Sequence, residues 1–144
     1  MPGDFSILNK TGERLPRLSF LLLKNEILGE KYSLSIAFIS KSEMRKLNKN
    51  HRGMDKATNI LSFPLSKNSG EILICPAVAR TETDKFNKNF RELLGFLVIH
   101  GCLHLKGMEH SSRMERAEEK YLSRIKFLIT QKIKKGANIT SLDY

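Results

Sequence analysis

Cysteine, acidic side chains and long apolar runs are all scarce in this chain. The two cysteines, Cys75 and Cys102, lie in separate apolar stretches and form no C-x-x-C pair. No disulfide framework can be drawn from them, and a reducing, cytoplasmic setting is the simplest expectation. No stretch approaches the roughly 20 apolar residues that a membrane span requires. The opening Met1-Pro2-Gly3-Asp4 has neither a basic region nor an apolar one, so a secretory signal is not expected. There are no internal repeats, linkers or low-complexity tracts. Asp and Glu total 15 against 25 Lys and Arg, which leaves a formal net charge of +10. A domain this basic suits a polyanionic partner, nucleic acid first and a membrane surface second, although solubility alone is the plainer reading.

The 144 residues, with 40% hydrophobic and 28% charged side chains, make one ordinary globular domain, residues 1–144, with enough chain for a core that needs no staples. Asp4 to Leu8 forms a weak first strand and Thr11 to Arg14 a turn. A helix is expected from Leu15 to Gly29, with Pro16 in its first turn and Leu15, Leu18, Leu22 and Ile27 on its apolar face. Tyr32 to Ile39 alternates as a half-buried strand does. Ser40 and Glu43 make a capping box for a basic helix carrying Lys41, Arg45, Lys46 and Lys49, with Met44, Leu47 and His51 packed on its apolar face. His51 to Lys56 reads as a loop.

Thr58 to Phe63, stopped by Pro64, and Glu71 to Cys75, closed by Pro76, make an antiparallel hairpin. Pro76 to Phe86 reads as a helix. Asn89 and Glu92 then start a long one, Phe90 to about Lys106, apolar nearly all round and therefore buried and central. Ser112 with Glu115 caps a last helix whose stripe is Met114, Ala117, Tyr121, Ile125 and Leu128. It ends at Lys132 to Gly136, before a loose tail to Tyr144. The expected class is α+β (mixed α/β), a single domain with a small mixed sheet of about four strands packed with helices.

Three of the four histidines fall in His100-Gly-Cys-Leu-His104-Leu-Lys-Gly107-Met-Glu-His110. His100 and His104 share one helix face. Gly107 can take the left-handed conformation that ends a helix, which lets His110 turn back toward the other two. Three imidazoles with no fourth ligand in the motif match a catalytic zinc site, tetrahedral with its last position left to water. Cys102, two residues past His100, points away and reads as core. The ligand spacing is that of the metzincin proteases, H-E-x-x-H-x-x-G-x-x-H, but Gly101 stands where the protease has its general base.

The motif more closely resembles H-G-x-L-H-L-x-G-Tyr-Asp-H, the signature of the YbeY family of bacterial ribosomal RNA maturation factors, which are zinc-dependent endoribonucleases. His100, Gly101, Leu103, His104, Leu105, Gly107 and His110 match, while Met108 and Glu109 replace the usual tyrosine and aspartate. A second stretch is similar to the family's N-x-x-x-R before T-D-V-L-S-F-P. There Asn48, Arg52, Thr58, Leu61, Ser62, Phe63 and Pro64 match, and Asn59 replaces aspartate.

The resemblance spans most of the chain and implies the α+β fold, with a YbeY-like metal-dependent hydrolase domain and a central zinc-binding helix. It implies one zinc per chain on His100, His104 and His110, and Arg52 as the catalytic residue in the zinc cleft. A rigid guanidinium fork suits two phosphate oxygens. The implied activity is a single-strand-specific endoribonuclease of the cytoplasm that acts in ribosomal RNA maturation, at the small-subunit 3′ end, and in ribosome quality control. Its implied partners are single-stranded or ribosomal RNA and the ribosome or ribosomal proteins, with no membrane. Glu109 is the nearest carboxylate in sequence and could orient His110. Two other classes stay open: a ribosome-associated RNA-binding factor with a structural zinc completed by Cys75 or a carboxylate, and a metzincin-like metallopeptidase.

Overall fold

The computed structural model describes residues 2–16 and 18–134, with side chains of the last helix described to residue 126. Its elements run β1 (Phe5–Asn9), α1 (Phe20–Leu28), β2 (Ser33–Phe38), α2 (Lys41–Arg52), β3 (Ile60–Ser66), β4 (Ser69–Ile74), α3 (Pro76–Thr81), α4 (Thr83–Phe86), α5 (Phe90–Leu105) and α6 (Ser112–Lys134). The four strands form one mixed sheet in the order β1-β2-β4-β3. β1 and β4 both pair parallel to β2, and β3 pairs antiparallel to β4. The expected α+β class and the expected hairpin are both present.

Alternation along β2 sends Leu34, Ile36 and Phe38 to one face, all buried. They join Ile72 and Ile74 of β4 and the inner sides of α1, α5 and α6 in the main core. The opposite face carries a smaller cluster of Ile39, Met44, Leu61, Leu73 and Cys75. Helix α5 buries nine of its sixteen residues, as its all-round apolar sequence predicts. It begins at a complete capping box: Asn89 accepts from the Glu92 backbone N–H at 2.8 Å, and Glu92 accepts from that of Asn89 at 3.3 Å. Gly101 lets α5 lie close on the sheet. A Cβ there would stand 2.9 Å from Ile72 Cδ1 and 3.0 Å from both Ile60 Cδ1 and Ser62 Oγ.

Several boundaries differ from the sequence reading. Helix α1 starts at Phe20, not Leu15, and Leu15 and Leu18 reach the core from the segment before it. Its buried face is Phe20, Leu23, Lys24 and Ile27, so a lysine occupies a core position. Lys24 Nζ donates to the Glu30 carbonyl at 3.0 Å and to Asn25 Oδ1 at 3.1 Å, which offsets part of the cost of burying the ammonium.

On α2 the buried polar residue is Asn48, not His51. Asn48 donates to the Lys56 carbonyl at 2.9 Å, while His51 is exposed with its ring 5.1 Å from that of Phe63. Arg52 closes α2, and the loop begins at the left-handed Gly53. Only half of the capping box at Ser40 forms, because Glu43 turns instead to Lys10 at 2.8 Å.

β3 continues through Pro64. It is an edge strand, where a missing N–H costs no ladder bond. The stretch from Pro76 to Phe86 is two helices, broken at Glu82. The hydroxyl that starts α6 belongs to Ser111, which accepts from the Met114 N–H at 3.2 Å. The stop expected at Gly136, the tail to Tyr144 and the side chain of Leu128 lie outside the described residues.

Candidate metal centre

Helix α5 ends as the glycine spacing predicts. Gly107 has φ +101°, its N–H bonds the His104 carbonyl at 2.9 Å, and the Met108 N–H reaches back to Leu103 at 3.0 Å. This paired 6→1 and 5→2 closure is the Schellman motif. Met108 packs its side chain on the core just beyond it. The reversal carries His110 over the last turn of the helix. The rings of His100, His104 and His110 then stand 4.6, 4.9 and 4.8 Å apart, centroid to centroid. One nitrogen from each lies within 4.8 Å of the others.

Proton placement on two of the rings follows from their partners. His104 Nδ1 is 3.0 Å from the Met108 carbonyl, which can only accept, so Nδ1 carries the hydrogen. His100 Nδ1 is 3.0 Å from Glu118 Oε2, and a carboxylate there again fixes the hydrogen on Nδ1. Both Nε2 atoms are then bare lone pairs, and they face each other at 3.1 Å. Two acceptors at that distance repel unless a cation lies between them. Tetrahedral ligands at the usual zinc–imidazole bond length are separated by about 3.3 Å. The donor set therefore fits a divalent ion of the zinc type, and the three histidines can hold one.

Burial pushes His100 down to about 4, with the neighbouring His110 adding to the shift. Burial is also the first cause that lowers His104. Both rings are thereby kept neutral, as ligands must be.

The histidines stand in a cleft of about 820 Å³. Its lining includes Arg52 from the end of α2, Thr58 and Asn59 from the segment before β3, and Ser62 of β3. It also includes Phe86 of α4, Phe96 of α5 and Met114, Glu115 and Glu118 of α6. Arg52 thus lies in the same cleft as the histidines, exposed and without a carboxylate partner among the described residues. Arg45, on the same helix, is by contrast committed to Asp55 through two bonds of 2.8 and 3.2 Å.

Sequence reasoning missed Glu118, which is only 7% exposed and is pushed up in pKa by that burial. The signal was available: position 118 falls on the apolar stripe of α6 one turn after Met114, and a carboxylate on a buried stripe needs a partner. The orienting role considered for Glu109 finds no support. Glu109 is exposed, and among the described residues its side chain bonds no histidine. Cys102 is buried in the main core. Cys75 sits in the cluster on the opposite sheet face, so it cannot complete a four-ligand site with these histidines.

Comparison with known proteins places these features in a family. A family model described as Endoribonuclease YbeY matches residues 9–132. The curated Endoribonuclease YbeY of Staphylococcus carnosus is 32% identical over 120 residues, 75% of this chain and 76% of that protein. That of Finegoldia magna is 31% identical over 120 residues, 78% of each. Among solved structures, the solution structure of TM1509 from Thermotoga maritima superposes with a TM-score of 0.61 at 30% identity, covering 84% of this chain and 88% of that one. With the matched region running from the first strand into the last helix, this chain belongs to the endoribonuclease YbeY family.

Proposed function

We propose that the protein is a zinc-dependent, single-strand-specific endoribonuclease acting in ribosomal RNA maturation, at the small-subunit 3′ end, and in ribosome quality control. His100, His104 and His110 hold one zinc per chain. The observation that carries this reading is the pair of converging Nε2 lone pairs at 3.1 Å, in the cleft that Arg52 also lines.

Bound there, zinc supplies Lewis-acid activation of water and of a phosphoryl oxygen. The chain's own residues do the rest. Glu118 and the Met108 carbonyl keep the hydrogens of His100 and His104 on Nδ1. Arg52, with no carboxylate to satisfy it among the described residues, presents its fork to the scissile phosphate and stabilises the charge that builds on phosphorus. Water or the RNA 2′-hydroxyl serves as nucleophile.

The net charge of +10 supports a polyanionic substrate. Lys46 and Lys49, exposed on α2, follow the RNA backbone outside the cleft. The ribosome and its proteins are the proposed partners and the cytoplasm the proposed setting. Among the described residues no helix is long and apolar enough to cross a membrane.

The test is to assay purified protein for metal content and for cleavage of an unstructured RNA, its duplex and a peptide pool. One zinc per chain and cleavage of the unpaired RNA alone are expected. Arg52→Ala should keep the zinc and most of the RNA affinity while losing turnover, since a contact made mainly in the transition state lowers kcat more than binding. Cleavage of peptides, or an Arg52→Ala variant changed only in affinity, would overturn the corresponding part of the reading.

A further inference from the structure

Beside the histidines, the cleft carries a feature that metal binding does not require. Phe86, at the end of α4, and Phe96, on α5 one turn before His100, are both half-buried and line the cleft. Their ring centroids are 5.7 Å apart, and Phe96 lies 6.1 Å from the His100 ring. Each ring also has a lysine ammonium over it. Lys88 Nζ stands 4.9 Å from the centroid of Phe96, and Lys85 Nζ stands 5.5 Å from that of Phe86. A flat partner can take the place of an ammonium over a ring, and the displaced ammonium then remains at hand for an anion. The same lining offers hydrogen-bonding groups: the Arg52 guanidinium, the Ser62 hydroxyl and the side-chain oxygen of Asn59, whose amide nitrogen already donates to Glu82 at 2.9 Å. Aromatic rings, hydrogen-bonding groups and lysines over the rings together complement a nucleotide: a flat base, a polar edge and a phosphate.

Resting on the endoribonuclease reading, we propose that Phe86 and Phe96 form a base-stacking subsite that takes an unpaired nucleobase next to the scissile phosphate, with Lys88 turning to the adjoining phosphate. Phe96 is the main platform because it is the ring nearest the histidines. Stacking on an aromatic face accepts any base, so the subsite selects for unpaired nucleotides and not for sequence. A base held in a duplex cannot present its face to the wall, which gives single-strand preference a physical source in this cleft.

The test crosses protein variants with abasic substrates. Wild type, Phe96→Leu and Phe86→Leu are assayed for binding and cleavage of an unstructured RNA, and of copies with one base removed at each position around the cut. Leucine keeps the apolar bulk toward the core and removes the flat face. Zinc content and melting temperature check that each variant is folded and loaded. In wild type, removing the base at one position next to the cut should weaken binding about 5- to 150-fold, the range of one stacked base. In Phe96→Leu the intact RNA should already be weakened by a similar factor, and removing that base should cost almost nothing further. Phe86→Leu should show the same cancellation to a smaller degree. If wild type cuts RNA but no abasic position loses its effect in either variant, the subsite is refuted and the ribonuclease reading stands. If wild type does not cut RNA at all, the ribonuclease reading fails and takes the subsite's substrate with it.

Discussion

Replacing Glu118 tests whether the site is built for a metal or only for packing. Its Oε2 lies 3.0 Å from His100 Nδ1, and the side chain is 7% exposed, so the bond is charge-assisted and sheltered, worth about 1.5–3 kcal/mol. In Glu118→Leu nothing holds the hydrogen on Nδ1. The His100 ring can move it to Nε2 and donate to His104 Nε2, which already stands 3.1 Å away. That internal bond closes the gap a metal would use. A metal must then break a neutral hydrogen bond, worth about 0.5–1.5 kcal/mol, and bind an imidazole that has lost its anionic partner. Together these cost about 1.4–2.7 kcal/mol, roughly a ten- to hundredfold loss of zinc affinity.

Stability of the metal-free protein should hardly change, because the new bond replaces the lost one and a carboxyl destabilised by burial is gone. Its melting temperature should stay within about 4 °C of wild type. Glu118→Gln keeps an acceptor without the charge and should fall between the two in affinity. Competition with a chromophoric chelator gives the affinities, and heteronuclear NMR of the imidazole nitrogens reports the tautomer. Wild-type zinc affinity in Glu118→Leu, or a His100 hydrogen still on Nδ1, would refute the reasoning.

Three other outcomes are expected. His104→Ala should abolish zinc binding by elemental analysis, and with it the rise in melting temperature that wild type shows when zinc is added, since a ligand stabilises only the fold that binds it. Gly107→Val should cost about 1–2 kcal/mol in urea denaturation and weaken zinc binding. With φ +101° and nothing within 4 Å of the added Cβ, the penalty is backbone strain, so a larger cavity elsewhere cannot relieve it. The buried Lys24 should give an alkaline signature. Burial lowers its pKa below the usual 10.5, so as pH rises from the folded value toward the unfolded one, the unfolded chain holds more protons and stability increases. Lys24→Met should lack that gain in the alkaline range below about pH 10, with little loss at neutral pH because the Gly3 N–H still satisfies the Glu30 carbonyl at 2.7 Å.

What could be read from the sequence was local and periodic. The capping box at Asn89, the glycine stop at Gly107 and the four-residue spacing of His100 and His104 each depend on neighbours along one helix, and each is present in the structure. Alternation gave β2 its buried face for the same reason. The misreadings arose where a residue's partner is distant in sequence. The place of Glu118 on the α6 stripe does not name its partner, because His100 lies 18 residues away on another helix. Nothing local marks Lys24 as buried, because the Glu30 carbonyl that holds it belongs to the turn after the helix. Pro64 looked like a stop because its strand's place at the sheet edge depends on the order β1-β2-β4-β3, which no local pattern encodes. Asn48 was matched to the family motif but not recognised as buried, since its bond to the Lys56 carbonyl forms only once the chain has turned at Gly53.

Gly101 links the packing to the chemistry. In the metzincin spacing the residue after the first histidine is the general base and must face the substrate. Here that residue faces the sheet, where even a methyl group would press on Ile72 Cδ1 at 2.9 Å and on Ile60 Cδ1 and Ser62 Oγ at 3.0 Å. A glutamate cannot be added at this position without lifting α5 off β3 and β4. The carboxylate nearest the histidines, Glu118, is already committed to His100. Arg52, which has no carboxylate partner among the described residues, and the lysines over Phe86 and Phe96 set positive charge about this cleft, in a chain of net charge +10, against the carboxylates of Glu115 and Glu118. Such a field does little for a neutral amide but draws in a phosphodiester and stabilises it further as charge accumulates on phosphorus. The close contact that seats the central helix therefore also removes the protease's base, and the same three-histidine spacing is left in surroundings suited to RNA.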